Sequence, residues 1–200
     1  MLSNKRLVCA AIMISLLTTA VALGQATKAG KTAAKAANPI VALDTTMGGI
    51  KIELLADKAP ITAKNFLAYV NTGFYNNTII HRVDANFVVC GGGYNADLSL
   101  KPAMPPIKNE SKNGLKNLKG TLSMARYADP NSATSQFFIN LNNNSSLDPT
   151  ATDAGYAVFA KVVEGMDVVE KIGAVKTAPK SVFTTLPVQT ILIKSAKVVQ

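Results

Sequence analysis

Ser135-Gln136-Phe137-Phe138-Ile139-Asn140 sets a polar amide directly before two aromatics, in a run that reads as a strand. With side chains alternating at a period of two, Gln136 and Phe138 share one face, and Phe137 and Ile139 share the other. Each face then carries a large ring, so this is not the polar-out, apolar-in strand of a half-exposed sheet. Two readings fit the pattern. Either the strand is buried on both sides, or its second face lines a cleft where Gln136 and Phe138 meet a ligand.

Working outward, strand patterns over 40–44 and 50–55 bracket Thr45-Thr46-Met47-Gly48-Gly49, whose glycine pair is expected to supply the positive-φ positions of a hairpin. Pro60 suits the first position of a helix. Ala63, Phe66, Leu67 and Val70 follow at i, i+3, i+4, i+7 spacing until Asn71-Thr72-Gly73 stops it. Further strands are predicted over 78–83, 86–90, 120–125, 135–141, 157–163 and 188–198, with a short helix over 166–172 closed by Gly173. About eight strands and two helices without βαβ alternation favour an antiparallel barrel or sandwich over a doubly wound sheet. Two irregular stretches, 91–119 and 142–155, are long for a compact domain. Loops of this kind beside a strand bearing polar and aromatic groups would make the walls of a cleft.

The chain of 200 residues suits one domain preceded by export signals. Lys5 and Arg6 precede a charge-free apolar stretch over 7–23 that ends in Ala22-Leu23-Gly24, which reads as a signal peptide over 1–24 cleaved near Gln25. An uncleaved anchor is the competing reading, because the stretch sits at the lower limit for spanning a bilayer. Residues 25–38, QATKAGKTAAKAAN, hold no aromatic or large aliphatic side chain and read as a flexible linker, which leaves 39–200 as the folded domain. Export implies a periplasmic or secreted protein with no stable membrane association once the leader is gone. Cys9 lies in that leader, so Cys90 is left without an intramolecular disulfide partner.

Charge and motifs exclude several kinds of chemistry. The net charge of +9 falls to +4 once the two leader cations and three linker lysines are set aside, and no arginine-rich patch or basic aromatic-bearing helix argues for nucleic acid. His81 is the only histidine, so a metal site would need it to converge with Cys90 and carboxylates that lack paired-ligand spacing. No G-x-S-x-G turn is present, and Gly91-Gly92-Gly93 lacks the continuation of a phosphate-binding loop. Arg82, in an apolar context, remains as the candidate active group.

Gly73-Phe74-Tyr75, His81-Arg82-Val83, Phe87 with the triple glycine, Gly120-Thr121-Leu122-Ser123-Met124-Ala125, the 135–140 run and Ala157-Val158-Phe159 occur in this order through residues 40–198. In these motifs the chain resembles the cyclophilin-type peptidyl-prolyl isomerases, most of all the exported bacterial members. The resemblance implies a mainly β fold, a closed eight-stranded antiparallel barrel capped by two helices, with the active groove on its outer surface. It implies rotation about X-Pro bonds without cofactor or metal, by a monomer that binds proline-containing segments of exported proteins and assists their folding.

By the same resemblance Arg82 is the catalytic residue, and Phe87, Val88, Phe138 and Leu147 form an apolar socket for the proline ring. Gln136 positions the substrate carbonyl, and the backbone of Ala125 and Arg126 pairs with the residues before proline, as an added strand would. This chain departs from the family at several places. Cys90 stands where a glutamine usually contacts the arginine, Ser146 replaces an aromatic, Tyr156 replaces a histidine, Val88 a methionine and Ile80 a phenylalanine. Loss of the aromatic at Ser146 implies weak binding of cyclosporin. The departures keep a second class open, a proline-segment-binding or chaperone-like module of low isomerase activity. A third, an adhesin or coat component, has only the export signal behind it.

Overall fold

A computed structural model of the chain describes residues 37–200, so the leader expected over 1–24 and nearly all of the linker lie outside the described residues. The linker's last position already docks, since Asn38 Nδ2 donates to Glu53 Oε1 at 2.8 Å.

Among the described residues ten strands form, eight of which close a barrel in the order β1 (Ile40–Thr45), β10 (Leu192–Val198), β3 (Thr78–Asp84), β4 (Val88–Asn95), β6 (Phe137–Asn140), β5 (Thr121–Met124), β7 (Val158–Glu164) and β2 (Gly48–Leu54). Every neighbouring pair runs antiparallel, and closure removes the exposed strand edges that an open sheet would carry. The inward faces supply the core, including Val41, Leu43, Ile52, Leu54, Leu122, Phe137, Ile139 and Phe159. Helix α1 (Pro60–Asn71) inserts Phe66 into it, 5.7 Å from Phe137 and 5.1 Å from Phe159 between ring centroids. Helix α2 (Met166–Gly173) buries Val168, Val169 and Ile172.

Several local expectations are corrected. Only Gly48 of the Gly48-Gly49 pair has positive φ, because the β1–β2 turn is made by Thr46 and Met47 ahead of it. The strand expected over 86–90 begins at Val88 and runs on through the three glycines to Asn95, shortening the first long loop. Side chains crowd that glycine run from both sides: a Cβ at Gly91 would meet Ile80 Cδ1 at 2.8 Å, and one at Gly92 the rings of Phe137 and Tyr75 at 2.9 Å. The run expected over 120–125 is trimmed to Thr121–Met124, and that over 135–141 to Phe137–Asn140. The last strand starts at Leu192, not at 188. Ahead of it lies an unexpected hairpin of β8 (Thr177–Lys180) and β9 (Phe183–Pro187), a separate two-stranded sheet packed on β3.

Candidate active site

Alternation on β6 divides its two rings between the inside and outside of the barrel. Phe137 and Ile139 join the main core, whereas Phe138 packs with Val88 and Cys90 of β4 in a second apolar group. Phe138 and Cys90 are cross-strand partners, so the ring and the thiol lie side by side on the sheet. Phe87, Ala125, Leu147 and Tyr156 surround them, each partly buried. Tyr156 meets Phe138 edge-on, with centroids 5.6 Å apart at 76°. The result is an apolar patch on the outer wall, separate from the main core.

Buried amides, which sequence reasoning missed, hold the walls of this patch. Asn144 donates to the Phe87 carbonyl at 2.9 Å and to Asn140 Oδ1 at 2.8 Å. Asn117 Oδ1 accepts from Ser123 Oγ at 2.7 Å, and its N–H groups reach Asp148. A one-turn 3-10 helix, Ser145–Leu147, then presents Leu147, whose carbonyl accepts the Tyr156 N–H at 2.9 Å. Repeated Asn in an otherwise featureless loop was the available signal, but local pattern does not show what those amides bridge. Ser146 sits exposed on the same turn and adds nothing to the apolar group.

Gln136 lies just ahead of β6, over a backbone with no side chain to obstruct it: a Cβ at Gly93 would stand 2.4 Å from Gln136 Cγ. Its carbonyl takes the Ala125 N–H at 3.0 Å, which leaves the Ala125 carbonyl and the Arg126 N–H without a partner among the described residues. Those are the backbone groups an added strand would use. The Arg126 side chain is occupied elsewhere. It donates to the carbonyls of Gly155 and Tyr127 and to Asp153, each at 3.0 Å, and lies 4.6 Å over the Tyr156 ring. It therefore straps the 153–156 segment that carries Tyr156.

Arg82 stands on β3 directly across from Cys90, with its side chain 47% exposed. Nε donates to Asp84 Oδ2 at 2.9 Å and Nη2 to the same oxygen, while Asp84 Oδ1 accepts from Thr185 Oγ1 at 2.7 Å. Partial burial pulls the Arg82 pKa down, but the hydrogen bond and the charge of Asp84 counter it, and the group stays cationic. Burial pushes the Cys90 thiol up to about 12 despite the Arg82 charge, so at neutral pH it packs as a small apolar group. Burial, aided by the Arg82 charge, lowers the His81 pKa to about 4. His81 is neutral at pH 7 and packs in one aromatic group with Tyr94 and Phe183, so the lone histidine serves the scaffold. Among the described residues no three of His, Cys, Asp and Glu converge as metal ligands would.

Residues 40–198 match the family model described as cyclophilin type peptidyl-prolyl cis-trans isomerase. The chain is similar to a peptidyl-prolyl cis-trans isomerase of Acinetobacter baylyi, 51% identical over 162 residues that cover 81% of this chain and 86% of that one. It is likewise similar to peptidyl-prolyl cis-trans isomerase A of Dickeya dadantii, 51% identical over 160 residues, covering 80% and 84%. Among solved structures it resembles a cyclophilin-type isomerase of Cryptosporidium parvum determined in the presence of the dipeptide Ala-Pro. That match has a TM-score of 0.66 at 27% identity and covers 80% of this chain and 99% of that one.

Proposed function

The chain belongs to the cyclophilin-type peptidyl-prolyl cis-trans isomerases, and we propose that it accelerates rotation about X-Pro bonds in exported polypeptides, with Arg82 as the catalytic residue. The observation that carries this reading is the juxtaposition of Arg82 with Cys90, in the floor of an apolar patch kept outside the barrel core. Amide resonance sets a rotation barrier of about 18–20 kcal/mol, and uncatalysed exchange takes tens to hundreds of seconds. A catalyst need only weaken that resonance, without a covalent step. The proline ring rests on Phe138, Val88 and Leu147 while the preceding residues pair with the backbone at Ala125 and Arg126. As the bond twists, the prolyl nitrogen becomes pyramidal and its lone pair, shared with the carbonyl in the planar amide, localises on it. Arg82, a permanent cation with a rigid fork of donors, stabilises that geometry over the planar one. Each ~1.4 kcal/mol of such selective stabilisation raises the rate about tenfold.

The protein works as a periplasmic or secreted monomer that assists the folding of exported proteins, a role supported by the leader pattern over 1–24. Cyclosporin binds weakly, because exposed Ser146 offers no aromatic wall; nanomolar affinity in a calorimetric titration would contradict this. Function is tested by exchange NMR on an Ala-Pro peptide with catalytic amounts of protein. Exchange between the cis and trans resonances is expected. Shifted resonances without exchange would replace the isomerase by a proline-binding module.

A further inference from the structure

We propose that Asp84, braced by Thr185 of the β8–β9 hairpin, is the positioning residue that holds the Arg82 guanidinium toward the proline groove. The inference rests on the reading of Arg82 as the catalytic group and explains how that group is oriented without help from the thiol opposite. Cys90 is a weak acceptor, buried and neutral. Asp84 is two residues from Arg82 on the same strand face and takes both Nε–H and an Nη2–H on one oxygen. Its other oxygen is held by Thr185 Oγ1 at 2.7 Å, so the carboxylate cannot turn without losing a charge-assisted bond. Three of the five guanidinium hydrogens, both on Nη1 and one on Nη2, keep no partner among the described residues.

The brace stands on a rigid footing. Phe183, two residues before Thr185, is buried and meets Tyr94 edge-on at 4.8 Å and 86°, with His81 5.9 Å away. The hairpin is thereby pinned to β3 and β4, and Thr185 is delivered to Asp84 by regular structure, which suits a site that needs fixed geometry. A pair as exposed as this one, 47% at Arg82 and 24% at Asp84, contributes little to stability, so orientation is the property it changes most.

The test compares kcat and KM of the whole purified protein on an X-Pro peptide for Arg82→Ala, Asp84→Ala, Thr185→Val, Thr185→Ser and the Asp84→Ala/Thr185→Val pair, with thermal unfolding of each. Asp84→Ala is expected to lower kcat about tenfold with KM within about twofold. Thr185→Val, which keeps shape and loses the hydroxyl, is expected to lower kcat roughly threefold to fivefold, and Thr185→Ser to restore it. The double variant should be no slower than Asp84→Ala alone, because Thr185 acts only through Asp84. Equal or faster turnover in Asp84→Ala, or a Thr185→Val loss that persists on the Asp84→Ala background, would overturn the proposal. If Asp84→Ala fails to fold, the contrast between Thr185→Val and Thr185→Ser decides. Full activity in Arg82→Ala would sink the reading of Arg82 itself. Loss in Arg82→Ala without loss in the Asp84 and Thr185 variants sinks the positioning inference alone.

Discussion

Phe137 and Phe138 are chain neighbours with different work, one inside the barrel and one on its outer wall. Truncating Phe137 leaves a cavity among Phe66 and Tyr75, so Phe137→Ala is expected to cost about 3–5 kcal/mol in denaturant unfolding. Phe138→Ala should cost less stability and more activity, with kcat/KM falling roughly tenfold or more as the socket opens. Gln136 lies against the bare backbone of Gly93. Because a Cβ at Gly93 displaces its side chain, Gly93→Ala should lower kcat/KM about as much as Gln136→Ala, and the double variant should add little. The division of the two phenylalanines was legible in sequence, since alternation put them on opposite faces. That the outer face gathers a second apolar group with Val88 and Cys90 was not, because periodicity cannot tell which distant residues a face will meet.

Elements are held by partners far away in the chain, and here sequence reading was weakest. Helix α1 begins at Pro60 as its pattern required, yet its N-terminal N–H groups are capped by Glu110. Glu110 Oε1 accepts from Ile61 at 3.1 Å, and Oε2 from the Thr62 N–H at 2.8 Å and the Thr62 hydroxyl at 2.7 Å. A local window sees only Ala59 at the cap position and reports none. Glu110→Ala should therefore lower unfolding free energy by about 1–2 kcal/mol, while Glu110→Gln keeps part of it. The β8–β9 hairpin escaped notice for a related reason. Pro179 and Pro187 break the strand pattern, and a two-stranded sheet tolerates them where a central barrel strand would not. The barrel strands and both helices, by contrast, announced themselves through apolar spacing strong enough to survive errors of a few residues at their ends.

For the whole molecule, a closed barrel buries one set of side chains and leaves the outer wall free to carry chemistry, so stability and activity respond to different residues. His81 illustrates the stability side. Its pKa is about 4 in the folded protein against 6.5 for the ordinary side chain, so between those values the unfolded chain binds the extra proton. Stability should fall as pH drops from 6.5 to about 4 and level off below, the histidine contributing about 3 kcal/mol to the loss. Denaturant titrations at pH 7 and pH 4 should show His81→Phe losing correspondingly less. Activity, on the function proposed for this chain, depends instead on Arg82 and the outer patch. The most direct measurement is kcat/KM for an X-Pro peptide in a protease-coupled assay, comparing the protein with Arg82→Ala. The protein should accelerate isomerisation far above the solvent rate, with Arg82→Ala reduced roughly a hundredfold while still folded. Equal rates for the two proteins, whether both fast or both at the solvent background, would contradict the assignment of catalysis to Arg82.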